Sequence, residues 1–260
     1  FGDRRFGREV PAENAVKPPA HLAPFYAVEA HSMLELEPPR HTRLRALVLR
    51  AFTSRRIKAL EPEITALSHQ LIDAFPSHPF DLLPAFATRI PVVIIARLLG
   101  VPETMSDDLL RWSNAMVAMY QARRTRQIED TAVAATNEFV EFMRSYVDAR
   151  RQSPADDLIT QLIAAEEDGE KLSTDELITT CILLLNAGHE ATVHTIGNGI
   201  KTLLETQTPL AALEPNAIGA TVEEILRYAP PLHMFTRYAY EGITLFGYDF
   251  KRGDQVALML

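Results

Sequence analysis

Leu177-Ile178-Thr179-Thr180-Cys181-Ile182-Leu183-Leu184-Leu185-Asn186-Ala187-Gly188-His189-Glu190-Ala191-Thr192 is the stretch on which the reading of this chain turns. Its first half is apolar on every side of a helical wheel, the pattern of a helix with neighbours all round it. The helical period runs on to Leu204, and about 28 residues make a rod of about 42 Å, long enough to cross a whole domain. Ser173 followed by Glu176 reads as a capping box, so the predicted helix covers 174–204. The pattern then breaks at 186–192. Gly in a helix interior costs about 0.5–1 kcal/mol relative to Ala, and a Glu in a buried helix costs more unless it is paired or hydrated. Small residues at 187 and 188 let a flat or bulky ligand approach the backbone, and a local kink or bulge admits water to Glu190 and Thr192. The plainer alternative is that Ala187 and Gly188 let another helix pack closely and that Glu190 pairs with a distant Arg.

His189-Glu190 followed by His194 invites a zinc reading, which the spacing rejects. Two helical ligands need His at i and i+4, whereas i and i+5 separates the imidazoles by about 140°. Cys181, two turns before the break and with no close Cys or His partner, reads as a buried apolar filler.

Working outward, residues 11–39 hold Pro11, Pro18, Pro19, Pro24, Pro38 and Pro39 and predict a long loop with at most one short helix. Loops of that length in compact folds are usually functional. Helices are predicted near 40–51, 55–75, 85–99, 103–121, 127–151, 155–167 and 217–228. Ser153 is expected to cap the sixth of these, with Pro154 at its first position and Asp156 in its first turn, and Gly100-Val101-Pro102 is a stop. Beyond Ala229-Pro230-Pro231 the texture changes to strand-like runs at 233–240, 243–246 and 256–260, with Gly242, Gly247 and Gly253 as hairpin turns. The expected fold is mainly α with a small β component, in one domain over 1–260. Its parts are a loop-rich pocket region (1–39), a helical core (40–228) and the start of a late β region (229–260).

The composition agrees with a globular chain: 260 residues, 47% hydrophobic and 23% charged, with a single Cys. One Cys cannot form an internal bridge, which fits a reducing, cytoplasmic setting, and no apolar run is long enough to suggest a membrane span. A net charge of −8 disfavours general nucleic-acid binding. Against that background Arg40, Arg43, Arg45, Arg50, Arg55, Arg56 and Lys58 fall within 40–58 without one acid, so an anionic ligand or partner is expected there, unless this is a solvated helix face. His41 and Arg45, at i and i+4, leave one face of that helix and could grip one anionic group. Glu224 and Arg227, at i and i+3, form a common kind of helical pair. The opening at Phe1 and the apolar ending at Leu260 both read as cut.

Taken together, these phrases resemble the cytochrome P-450 family, in its soluble bacterial class. The carrying residues are Glu37-Pro38-Pro39-Arg40-His41-Thr42-Arg43-Leu44-Arg45 running into Ala51-Phe52-Thr53, then Ala187-Gly188-His189-Glu190-Ala191-Thr192, then Glu223-Glu224-Ile225-Leu226-Arg227-Tyr228 with Pro230 and Pro231, then Thr236-Arg237. The resemblance implies a monooxygenase using b-type haem and O2 on an apolar small molecule, with no nucleic-acid or membrane partner. On that likeness His41, Arg45 and Arg237 would bind the haem propionates, and Ala187 and Gly188 would leave space for dioxygen. Glu190 would feed protons through water. Glu224 and Arg227 would form a buried ion pair behind the haem, and residues 11–36 with Leu232, Met234 and Phe235 would line the substrate pocket. The basic segment would receive a ferredoxin or flavodoxin.

Two departures stand out. The family usually has Thr where this chain has Ala191, with Thr192 one step on and about 100° round the helix, so either ordered water or a substrate hydroxyl supplies the missing donor, which is the expectation, or oxygen activation is impaired. The family's haem thiolate lies downstream of the late hairpin, so the 260 residues are expected to be an internal portion without that Cys and without the opening strands; no metal ligand lies within them. The alternative from another class is a haem-free helical module that binds an apolar ligand.

Overall fold

Proline and glycine set most of the element boundaries. The computed structural model describes residues 2–121, 123–167 and 169–260, apart from the side chains of Arg55, Glu166 and Glu167. A short strand, β1 (Phe6–Gly7), is followed by two single 3-10 turns (Ala12–Asn14 and Ala20–Leu22) and one short helix, α1 (Ala23–Glu29), so the proline-rich region holds one α-helix, as its sequence suggests. Next comes α2 (Arg40–Ala51). The single helix expected over 55–75 is two, α3 (Ser54–Ala59) and α4 (Glu61–Asp73). The cause is Pro62, which has no N–H to donate and is tolerated only in a first turn, so a new helix must start just before it.

The predicted 85–99 helix starts earlier, with a π turn over Leu83–Ala87, before α5 (Arg89–Leu99). Gly100 ends α5 in the left-handed region at φ 84°, which supports the expected stop. The 103–121 prediction is one α-helix, α6 (Ser106–Val117), between 3-10 turns at Glu103–Met105 and Ala118–Tyr120. Thr125 caps α7 (Arg126–Gln152) by accepting from Ile128 N. The cap predicted at Ser153 is wrong: Ser153 follows the last turn of α7, and Asp157 caps the shorter helix α8 (Leu158–Ala164), accepting from Thr160 N at 2.8 Å. A carboxylate in extended backbone, followed at once by apolar residues, is the stronger cap signal.

After a two-strand ribbon, β2 (Glu166–Glu167) with β3 (Glu170–Lys171), comes α9 (Thr174–Glu205). Ser173 Oγ accepts from Glu176 N, and the Glu176 carboxylate accepts from Ser173 N, completing the capping box. The bulge expected as one alternative at 186–192 is absent, for α9 stays α-helical throughout its 32 residues. The hydroxyls of Thr192 and Thr195 turn back onto the carbonyls of Gly188 and Ala191, at 2.7 and 2.8 Å, and add acceptor bonds without opening the ladder.

A 3-10 turn (Leu210–Leu213) leads to α10 (Ile218–Tyr228), and then to β4 (Met234–Ala239), β5 (Ile243–Leu245), β6 (Tyr248–Phe250) and β7 (Gln255–Met259). Of the three glycine turns predicted here, only Gly247 closes a hairpin, joining β5 to β6 with Phe246 and Gly247 both at positive φ. Gly242 and Gly253 lie in connections between sheets. β4 pairs instead with β7 and with β1, antiparallel in both cases, so the first strand is stitched to the last region of the chain. The main core lies among α1, α2 and α5 to α9, with Phe139, Leu99, Leu109, Met143 and Leu162 fully buried and Trp112 stacked on Phe139 at 5.1 Å. α9 touches α1, α5, α6, α7, α8 and α10.

Candidate functional site

A cavity of about 680 Å³ opens between α2, α4, α5 and α9. Its walls are almost wholly aliphatic, from Ile64 on α4, Ile90, Ile94, Ile95 and Leu98 on α5, and Leu183 and Leu184 on α9. At its rim stand His41 and Arg45, one helical turn apart on α2, because Leu44, Leu47, Val48 and Ala51 take the opposite face into the core. Neither the His41 nor the Arg45 side chain makes a hydrogen bond or an ion pair among the described residues. Two unengaged donors beside apolar walls are the fit a flat apolar group with carboxylate arms requires.

The rest of the basic segment is mostly engaged within the chain. Arg43 bonds Glu176 at 3.0 Å and Glu170 at 2.7 Å, Arg56 bonds Asp156 at 3.0 Å, and Arg40 donates to the Ala30 carbonyl at 2.8 Å. The acids missing from 40–58 are supplied from α9, β3 and the α7–α8 connection, so Arg43 is not the free surface cation its neighbours in sequence suggest.

On α9, Ala187, Gly188 and Thr192 reach the cavity, whereas Glu190 and Ala191 are not on its lining. The smallness of Gly188 is used by helix packing: a Cβ there would stand 2.9 Å from Ile95 Cδ1 of α5. Glu190 is half-exposed and faces His194 at 3.7 Å, so its partner is the next turn of its own helix and not a distant Arg. His189 points the other way, 4% exposed, with both ring nitrogens unpartnered. Burial, and then the nearby His194, push its pKa down. Asn186 Oδ1 is likewise buried without a donor. Cys181 is fully buried and burial pushes its thiol up to about 12, so it is an inert core side chain and no thiolate.

The late residues are not gathered at this cavity. Arg237 donates to the carbonyl of Thr236 at 2.8 Å, Leu232 and Met234 are exposed, and Phe235 pairs with Leu258 across the sheet. The Glu224–Arg227 pair is bidentate, both contacts at 2.7 Å, but lies on the surface and is not the buried pair expected. On α10 only Ile225 is buried, and it points at Gly199 of α9, which turns the pair outward. Sequence reasoning passed over the α5 wall. Its signal was present, since Ile90-Pro91-Val92-Val93-Ile94-Ile95 is apolar all round and a helix of that kind needs cover on both sides.

The profile of the family described as Cytochrome P-450 matches residues 90–214. The chain is 38% identical to a vitamin D(3) 25-hydroxylase of Pseudonocardia autotrophica, over 94% of this chain and 60% of that protein. It is 40% identical to cytochrome P-450 107B1 of Saccharopolyspora erythraea, over 88% of this chain and 56% of that one. Among solved structures, P450BioI in complex with hexadec-9Z-enoic acid ligated acyl carrier protein superposes with a TM-score of 0.91 at 31% identity, covering 99% of this chain and 66% of that one. The chain thus spans less than two thirds of the length of these curated relatives. No helix among the described residues is long and apolar enough to cross a membrane. Likeness carried by nearly every element of the fold, and not by one motif alone, means that the chain belongs to the cytochrome P-450 family, beside bacterial members.

Proposed function

We propose that the protein is a haem-thiolate monooxygenase acting on an apolar small molecule, and that residues 1–260 form one domain of it. The observation that carries this reading is the pair of unengaged donors, His41 and Arg45, at the rim of an aliphatic cavity. When bound, the haem supplies activation of O2, one oxygen atom entering the substrate and the other leaving as water as two electrons and two protons are consumed. His41 and Arg45 hold the propionates by charge-assisted hydrogen bonds. Ala187 keeps the α9 wall low, and the aliphatic side chains of α5 exclude water. Glu190, half-exposed and beside His194, is placed to exchange protons with solvent. Thr192 is a weaker candidate donor, since its hydroxyl is committed to the Gly188 carbonyl.

Cys181 is not the axial ligand, being buried in the core on α9. The aliphatic walls of the same cavity would also serve a second reading, a haem-free helical module binding an apolar ligand. Electrons would come from a ferredoxin or flavodoxin at 40–58, where Arg40, Arg45, Arg50 and Lys58 are exposed cations. A cytoplasmic setting suits the lone unpaired cysteine. The deciding experiment is haem titration of the purified chain followed at the Soret band. Saturable binding that weakens about tenfold or more in His41→Ala and Arg45→Ala supports the reading; no binding, or binding indifferent to both changes, leaves the haem-free module.

A further inference from the structure

A second recess, of about 490 Å³, lies where α1, α7 and α9 meet, and it shares no lining residue with the aliphatic cavity. Each helix gives it one stripe at helical spacing, such as Asn137, Glu141 and Arg144 on α7 and Asp175 and Ile178 on α9. Its floor is apolar in effect. Val28 and Ile178 are buried there, and so are Thr136 and Thr179, whose hydroxyls are already committed. Thr136 donates to the Ala132 carbonyl at 2.7 Å and Thr179 to the Val28 carbonyl at 3.3 Å. Methyl groups are what these threonines have left to offer a guest.

The rim is charged. Glu141 and Arg144 stand at i and i+3, a spacing at which helical ion pairs form. Here, however, the Arg144 guanidinium bonds Asp175 of α9 at 2.6 Å, so those two charges cancel. Glu141 is exposed and makes no hydrogen bond or ion pair among the described residues, and the side chains of His31 and Asn137 on the same recess make none either. With His counted neutral at pH 7, the recess carries one uncompensated charge, and that charge is negative.

We propose that this recess binds an apolar organic cation, a primary ammonium group on a small aliphatic body. The body covers the floor at Val28 and Ile178, and the ammonium stands at Glu141. Its three N–H donors suit the acceptors the rim leaves unused, which are the Glu141 carboxylate, the Asn137 amide oxygen and an imidazole nitrogen of His31. An anion is disfavoured because the one guanidinium here already holds a carboxylate. A neutral apolar molecule gains the floor but leaves Glu141 unused. The volume falls in the range of small-molecule sites, about 300–1,000 Å³. None of this depends on whether the aliphatic cavity holds haem.

Methyl-resolved NMR of the full chain tests the assignment, with hexylammonium as the probe and hexanol as its neutral counterpart of the same shape. The Ala27, Val140 and Ile178 methyls report on the recess, and those of Ile94 and Leu184 on the aliphatic cavity. Hexylammonium is expected to shift the recess methyls saturably, and hexanol to bind there about threefold to tenfold more weakly. Glu141→Gln should bring hexylammonium to the affinity of hexanol. Ala27→Trp, at an exposed position on the recess, should weaken both by filling it. Recess methyls that do not respond to hexylammonium overturn the proposal, as do shifts confined to Ile94 and Leu184. Equal affinity for hexanol overturns it too, and so does undiminished hexylammonium binding in Glu141→Gln. If a variant fails to fold, the comparison of the two probes in the unaltered protein decides alone. Haem binding is read separately at the Soret band, so a failed recess and a failed haem reading are distinguishable.

Discussion

Arg150 and Asp157 join the end of one helix to the start of the next and hold the stop of a third. Arg150 Nε donates to Asp157 Oδ2, while its Nη2 donates to the Gly100 carbonyl at 3.1 Å, and the Tyr146 hydroxyl donates to that same carbonyl. The other oxygen of Asp157 caps α8. The guanidinium lies over the Tyr146 ring, 4.8 Å from its centroid. Asp157 is 4% exposed, so its removal strands a guanidinium and an uncapped helix together. Asp157→Ala should destabilise the chain by about 3 kcal/mol, and Asp157→Asn by less because the cap survives. Urea unfolding checks both; equal losses would mean that the cap contributes nothing.

The α5–α9 crossing makes a graded prediction at Gly188. An added Cβ would meet only the far end of Ile95, so Gly188→Ala should lie within about 1 kcal/mol of neutral as helix propensity offsets the squeeze. Gly188→Leu should cost about 1–3 kcal/mol by overpacking. Ile95→Ala in the Leu background should recover part of that loss in thermal melts, and no recovery would place the strain elsewhere.

His189 sets an acid limit. Its pKa is lowered in the fold, first by burial and then by His194, so the unfolded chain binds the proton more readily. Stability should hold above the ordinary 6.5 and fall as the pH drops below it toward the lowered folded value. His189→Leu should flatten that decline and raise stability at pH 7 by about 1–2 kcal/mol, since two buried ring nitrogens without partners are removed. An acid limb of unchanged slope in this variant would falsify the assignment.

On the proposed monooxygenase reading, Ala191→Thr tests the missing hydroxyl. Thr192 and Thr195 both return their hydroxyls to the carbonyl four residues back, so neither is free to replace the hydroxyl that position 191 lacks. A hydroxyl placed there competes with the water or substrate hydroxyl expected to donate now. Product formed per reducing equivalent should change by about twofold or more; an unchanged yield removes the idea that a donor at this position matters.

Local signals in the sequence proved the most legible. The Ser173–Glu176 box, the Gly100 stop and the His41–Arg45 face all depend on residues within four positions of each other, and each stands where the pattern puts it. The helix break before Pro62 and the Asp157 cap were equally local but were outweighed by longer apolar periods and by the Ser153-Pro154 pair. What could not be read were relations across the chain. Arg43 finds Glu176, Arg56 finds Asp156, and β1 finds β4 only through the tertiary fold. Arg227 shows the converse, because spacing predicted its pairing with Glu224 but carries no information about whether water reaches it.

α9 also sets where this chain can be recombined. Its neighbours range from α1 near the beginning to α10 near the end, and each reads a different arc of the same unbroken rod. A chimera joined inside it would take the first turns of the rod from one parent and the last from the other, and one joined anywhere between Ile95 and Gly188 would set the Gly188 of one parent against the Ile95 of the other. An exchange past the end of the rod, at Thr206, keeps α9 and every helix before it from a single parent, so that only its packing against α10 is mixed.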